Sequence, residues 1–94
     1  MPSFSTRSSV GVVADEVVSR KRLVLISTDG SWNGTVQIET FFPQAGIWAA
    51  DAANVFTAAN TVIVRTLECG ETVGVRFRVN CTARSAGSVT AEII

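Results

Sequence analysis

Apolar and polar residues alternate with a period of two along much of this chain, and this alternation constrains the fold more than any other feature. Val36 and Ile38 lie on one side of their run, and Gln37 and Glu39 lie on the other. Residues 72–80 repeat the pattern. Because successive side chains of a strand point to opposite faces, this period indicates half-buried β-strands.

Strand-like segments recur at intervals of about 8–12 residues, separated by turn residues. The predicted strands are 10–18, 22–28, 34–41, 47–50, 55–57, 61–68, 72–80 and 88–94. We expect the main turns at 29–31, 58–60, 69–71 and 83–87. Asp51 could cap one helical turn, but a loop is favoured there. The sequence therefore predicts an all-β fold, an antiparallel β-sandwich or jelly roll of about six to eight short strands.

The length of 94 residues leaves room for one hydrophobic core. We assign residues 10–94 to a single β-sandwich domain and residues 1–9 to an extended N-terminal arm. The arm is rich in serine, and packing against a neighbouring subunit would order it. Phe4, an aromatic residue in this arm, is a candidate contact with a partner.

The composition argues against catalysis and against nucleic-acid binding. The chain has no histidine, so the commonest general base and metal ligand is missing. Eight basic residues balance eight acidic ones, which gives no electrostatic footprint for DNA or RNA. Cys69 and Cys81 flank a predicted strand, too far apart for a disulfide, and two cysteines are too few for a zinc site. We expect a non-enzyme with two free thiols, no metal, no cofactor and no membrane span, made in the cytoplasm.

Two tryptophans are candidate partner-binding residues. Trp32 lies in a turn between two strands, and its ring could stack on a sugar or on a partner's side chain. Trp48 lies between Ile47 and Ala49 and could act in the same way. The alternative for both is a ring that closes the end of the hydrophobic core, and this alternative is favoured.

Three arginines form a second candidate site. Arg76 and Arg78 share one strand face, and Arg65 is expected on a neighbouring strand. Together they could bind an acidic partner through bidentate hydrogen bonds. The alternative, which is favoured, is a solvated outer face whose charge is balanced by glutamates on adjacent strands.

Five segments resemble small β-sandwich proteins of tailed-bacteriophage virions, and the resemblance covers roughly residues 22 to 94. The matching segments are Ser31-Trp32-Asn33-Gly34-Thr35-Val36-Gln37-Ile38-Glu39, the later Trp48, Leu67-Glu68-Cys69-Gly70, Val75-Arg76-Phe77-Arg78-Val79, and Gly87-Ser88-Val89-Thr90-Ala91-Glu92-Ile93.

The resemblance implies a structural virion role, as a capsid-decorating protein, a head spike or the base of a head fibre. It implies location in the virion, other virion proteins such as the major capsid protein as partners, and no catalytic residues. A homo-oligomer is expected, with a trimer suggested by analogy to virion spikes. The alternative functions are a tail-associated protein and a module that binds glycans on the host surface.

Overall fold

A computed structural model of the chain describes residues 3–18, 21–67 and 74–94, and within them the fold is an antiparallel β-sandwich. The predicted fold class is confirmed. The described strands are β1 (Ser3–Arg7), β2 (Gly11–Val18), β3 (Arg22–Thr28), β4 (Asn33–Phe42), β5 (Ile47–Ala49), β6 (Val55–Phe56), β7 (Val62–Leu67), β8 (Val75–Ala86) and β9 (Val89–Ile93).

The strands form two sheets that pack face to face. The four-stranded sheet has the order β1-β9-β3-β7, and the five-stranded sheet has the order β2-β8-β4-β5, with β6 also paired to β4. Every neighbouring pair is antiparallel. Most connections, such as those from β3 to β4 and from β8 to β9, cross from one sheet to the other.

The core lies between the sheets and consists mainly of small aliphatic side chains. Its buried members are Val13, Ala14, Val24, Ile26, Trp32, Val36, Ile38, Leu67, Phe77, Val79, Cys81, Val89, Ala91 and Ile93. On β4, β8 and β9 the alternation predicted from the sequence selects the inward residues correctly, because one face of each sheet has to leave water.

The N-terminal segment supplies one more strand than the sequence predicted. Within the expected arm, Ser3–Arg7 forms β1, an edge strand paired with β9 of the same chain. Arg7 also fixes the crossing from β1 to β2, because its guanidinium donates to the carbonyl oxygens of Ser9, Val10 and Val12.

Two local predictions differ from the structure. Residues 83–86 are not a turn, because β8 continues to Ala86 by pairing with the start of β4 through two register shifts. Residues Ala52–Asn54 form a 3-10 turn rather than a loop. The Asp51 side chain accepts a hydrogen bond from the Ala53 amide at 3.2 Å, which caps that turn. The expected hairpin at 69–71 lies outside the described residues.

Asp29 and Trp32 close one end of the sandwich. The Asp29 carboxylate accepts hydrogen bonds from the backbone N–H groups of Ser31 and Ser88 and from the Ser88 hydroxyl. These bonds join the β3–β4 turn to the β8–β9 turn. The bond from the Ser88 hydroxyl contributes most to holding the pKa of Asp29 below its ordinary value, against a smaller opposing effect of burial. Gly87, at φ +82°, fits closely against Trp32.

We expect Gly34→Ala to destabilise the fold, because a Cβ atom there would press against the Ala83 carbonyl oxygen and come within 2.9 Å of Trp32 Cζ2. A loss of about 1–3 kcal/mol is typical of such overpacking. Urea unfolding measures it. Gly30→Ala is the matched control, since no heavy atom beyond Gly30 and its two chain neighbours lies within 4 Å of its Cβ position. Equal stability of the two variants would contradict this account of the Trp32 end.

Candidate functional site

The predicted site residues do not form one site: Trp32 lies in the core, and the others are divided between the two sheets. Trp32 is only 4% exposed and belongs to the core, so it offers no surface for stacking. The favoured interpretation, a ring that closes the end of the core, is the one the structure shows. Its indole Nε1 is buried without a hydrogen-bond partner among the described residues.

Trp48, Arg76 and Arg78 come together on the outer face of the five-stranded sheet. Trp48 on β5 is half-buried and packs against Phe41 of β4, with ring centroids 5.2 Å apart. The guanidinium carbon of Arg78 lies 4.1 Å from the centre of the indole ring, and that of Arg76 lies 5.3 Å from it. These distances are typical of cation–π contacts.

Both arginines of this face are paired with carboxylates. Arg76 makes a bidentate contact with Asp15 of β2, with nitrogen–oxygen distances of 3.2 and 2.7 Å. Arg78 donates from Nε to Glu39 of β4 at 2.5 Å. We call Asp15, Glu39, Trp48, Arg76 and Arg78 the charged cluster. Because each guanidinium has its own carboxylate, the cluster is not a basic patch, which agrees with the favoured alternative of cross-strand balance.

Glu39 is the member of the charged cluster whose predicted exposure was wrong. Alternation assigned it to a solvated face, but it is 5% exposed beneath its neighbours. Gln37 and Asn80 donate to its carboxylate as well as Arg78. Burial alone would raise the pKa of this carboxyl group, but the hydrogen bonds and the charge of Arg78 outweigh it and lower the pKa.

Arg65 is not part of the same group, because β7 belongs to the other sheet. The expectation that it neighbours Arg76 and Arg78 is wrong. Its guanidinium carbon instead lies 5.3 Å from the centre of the Phe56 ring, which is on β6 of the five-stranded sheet. Sequence patterns could not show this, since the order of strands within a sheet is not encoded in alternation.

The outer face of the four-stranded sheet has a different character. Phe4 on β1 is 66% exposed, and so is Val62 on β7. Leu23, Val64 and Ile94 are also exposed on or beside this face. A shallow hollow of about 190 Å³ lies among Leu23, Leu25, Val64 and Ile94, with Glu92 at its side. These residues give this face several exposed apolar groups beside Glu92, whereas the other outer face carries the charged cluster together with exposed Val12 and Val55.

Neither of two hollows on the surface of the described residues brings together an acid and a base. The larger, of about 440 Å³, is lined by polar residues such as Asn33 and Thr57 and by one ionisable side chain, Arg84. The smaller contains one ionisable side chain, Glu92. No group of three or more potential metal-ligating side chains occurs among residues 3–18, 21–67 and 74–94. Within the same residues, no helix is long and apolar enough to cross a membrane.

Cys81 is a buried thiol in the core, free of any disulfide. Burial raises the pKa of this thiol, so it stays protonated at neutral pH. Its Sγ donates to the Ala83 carbonyl oxygen at 3.4 Å. Cys69, the other expected free thiol, lies outside the described residues.

Comparison with known proteins gives no relative. No protein-family model, no curated protein and no solved structure matches the chain. The functional interpretation therefore depends on the two outer faces themselves. The charged cluster does not favour glycan binding, because arginine side chains already lie against the half-buried Trp48 ring.

The charged cluster should make stability depend on pH. The pKa of Glu39 in the folded protein lies below its ordinary value of 4.5, so the unfolded chain binds more protons in this range. The stability that Glu39 contributes is present above pH 4.5 and is lost as the pH falls through its lowered pKa. We expect Glu39→Gln to flatten this dependence and to leave the slope due to Asp29.

Denaturant unfolding between pH 2 and pH 7 measures this effect. At pH 7, Glu39→Gln should cost about 1–3 kcal/mol, because Arg78 loses its charged partner. Glu92→Gln, which removes the same charge from the other sheet, is the control and should keep the slope due to Glu39. An unchanged slope in Glu39→Gln would refute the assignment.

Proposed function

We propose that the chain is a structural protein of a tailed-bacteriophage virion, a capsid-decorating or head-spike protein that acts through protein–protein contacts. The observation that carries the proposal is the outer face of the four-stranded sheet, where Phe4, Leu23, Val62, Val64 and Ile94 are exposed. The largest exposed apolar patch of a soluble protein is often its functional surface. The resemblance to small virion β-sandwich proteins supports the placement in a virion.

The size of the face suits a repetitive shell. Four strands spaced about 4.8 Å apart, with about six residues each, give a face of roughly 400 Å². A stable complex of two soluble proteins buries about 800 Å² on each partner. One such face would therefore give a weak contact. An oligomer of this chain would carry several copies of the face, and a shell presents the matching surface many times. Such an oligomer binds far more tightly than a single contact allows.

The five-stranded sheet supports a non-enzymatic role. Its outer face carries the charged cluster, whose arginines and carboxylates are already paired with each other. Such a face is suited to contact with water rather than with a partner. The four-stranded sheet would therefore face other copies of the chain and the capsid, and the five-stranded sheet would face the solvent.

The proposal predicts that particles made from a genome encoding this chain contain it in many copies. Quantitative mass spectrometry of purified particles measures this. Leu23→Lys places a charge in the apolar face and should lower the copy number roughly tenfold, the effect of about 1.4 kcal/mol per contact. Thr82→Lys, an exposed strand position of the other sheet, is the matched control and should be incorporated normally. Absence of the wild-type chain from the particles would rule out the proposal.

A further inference from the structure

The outer edge of β7 presents backbone groups that no described strand pairs with. Thr28 N donates to Thr61 O at 2.9 Å, which fixes the phase of the β3–β7 ladder. Residues alternate in an antiparallel pair, so Ile63 and Arg65 also turn their backbone groups towards β3. The N–H and C=O groups of Val62, Val64 and Thr66 therefore point away from the sheet.

The same reasoning applies at the opposite edge of this sheet. Leu23 and Ile94 exchange both of their backbone hydrogen bonds, so Ile93, Ala91 and Val89 of β9 turn towards β1. Their partners on β1 are Ser3, Ser5 and Arg7. The backbone groups of Phe4 and Thr6 consequently point outward, beyond the edge of the sheet.

These two edges lack most of the features that usually prevent strand pairing. Proteins blunt edge strands with bulges, prolines, very short strands or charged residues, including inward-pointing ones. Arg7 on β1 and Arg65 on β7 are the charged residues of these two strands. In the five-stranded sheet, β2 has a bulge between Val12 and Ala14 and β5 has three residues. In contrast, β7 has six residues without proline, lysine or a bulge, and exposes Val62 and Val64.

We propose that β1 of one copy pairs with β7 of a second copy, so that the four-stranded sheet continues from chain to chain. The inference rests on the proposed function, since it names the strands through which the subunits assemble. The polarity fits. Three successive antiparallel pairings separate β1 from β7, so these strands run in opposite directions. A second copy shifted along the sheet therefore presents β1 antiparallel to β7.

The side chains fit the same arrangement. Both edges of this outer face carry exposed apolar groups, Phe4 on β1 and Val62 and Val64 on β7, and Thr90 and Glu92 of β9 lie beside Phe4. A register with Phe4 opposite Val64 and Thr6 opposite Val62 joins the apolar halves and places no charged residue opposite another. Aromatic and β-branched side chains are favourable cross-strand neighbours.

Two features distinguish this contact from a pairing of β7 with itself. Self-pairing of β7 would leave Phe4, which is 66% exposed, and the β1 edge uncovered. Pairing of β1 with β7 covers both edges.

The contact also requires Arg65 to release Val64 O, to which its Nη1 donates at 3.1 Å. Arg65 is exposed, so water can replace this hydrogen bond.

A contact between two different edges cannot close after two subunits. Each added copy leaves one β1 edge and one β7 edge free, so the assembly is a ring or a filament of more than two chains. A contact of β7 with β7 would stop at a dimer. The number of chains in the assembly therefore discriminates between the two arrangements.

The test uses the purified full chain and light scattering behind a sizing column, over a wide concentration range. Val64→Pro removes an outward N–H and leaves the β3–β7 ladder intact, and Thr6→Pro does the same on β1. We expect the wild-type chain to form assemblies of more than two copies and each proline variant to be monomeric. An equimolar mixture of the two variants should form a complex of two chains, because one supplies an intact β1 and the other an intact β7.

The controls are Val64→Thr and Thr6→Val, which keep the backbone N–H groups and should assemble like the wild-type chain. Circular dichroism checks that every variant folds. If a proline variant does not fold, Val64→Lys or Thr6→Lys replaces it, because a charge at the edge also opposes pairing.

A wild-type chain that is monomeric or stops at a dimer would overturn the inference, and so would a mixture that stays monomeric. This outcome is independent of the particle experiment. A chain that is incorporated into particles but monomeric in solution would contradict β1–β7 pairing alone. A chain that assembles in solution but is absent from particles would contradict the virion role alone.

Discussion

Small aliphatic side chains fill the space between the two sheets, and their packing determines what the outer faces can carry. Val24, Val36, Val79, Val89 and Ala91 are almost completely buried there. Because strand side chains alternate, burial of these residues turns the intervening residues outward. The charged cluster on one face and the apolar residues on the other are thus placed by the same core. A shift of one residue in any central strand would exchange core and surface along its length.

The core and the fold class were predictable because they depend on alternation within single strands. Val36 and Ile38, or Val89, Ala91 and Ile93, need no knowledge of their neighbours to be assigned inward. The site was less predictable, because it depends on which strands are adjacent. Glu39 is buried because β8 brings Arg78 and Asn80 beside it, and Arg65 is isolated because β7 lies in the other sheet. The prediction of a turn at 83–86 was also wrong, because pairing with β4 keeps these residues in a strand despite their local preference for a turn.

The two outer faces differ in whether their exposed side chains have interaction partners within the chain. On the five-stranded sheet, guanidinium groups meet carboxylates and an aromatic ring, so the polar groups have partners within the chain. On the four-stranded sheet, large apolar side chains remain in water beside unpaired strand edges. Exposed apolar strand edges promote aggregation unless a partner covers them. Exposed apolar side chains also occur on the five-stranded sheet, at Val12, Phe42, Ile47 and Val55, so the faces differ mainly in the charged cluster that only one of them carries.

The pairing of β1 with β9 has a consequence for how the protein is made. Ser3 lies opposite Ile93, so the first and last described strands of the chain are neighbours in one sheet. During synthesis on the ribosome, β1 and β3 cannot pair with β9, the strand between them, until β9 has been made. Contacts of such long sequence separation also slow folding, because the loop entropy is lost before the contacts form. The β3–β7 pair can form before β9 exists, whereas β1 gains its only neighbour among the described strands last.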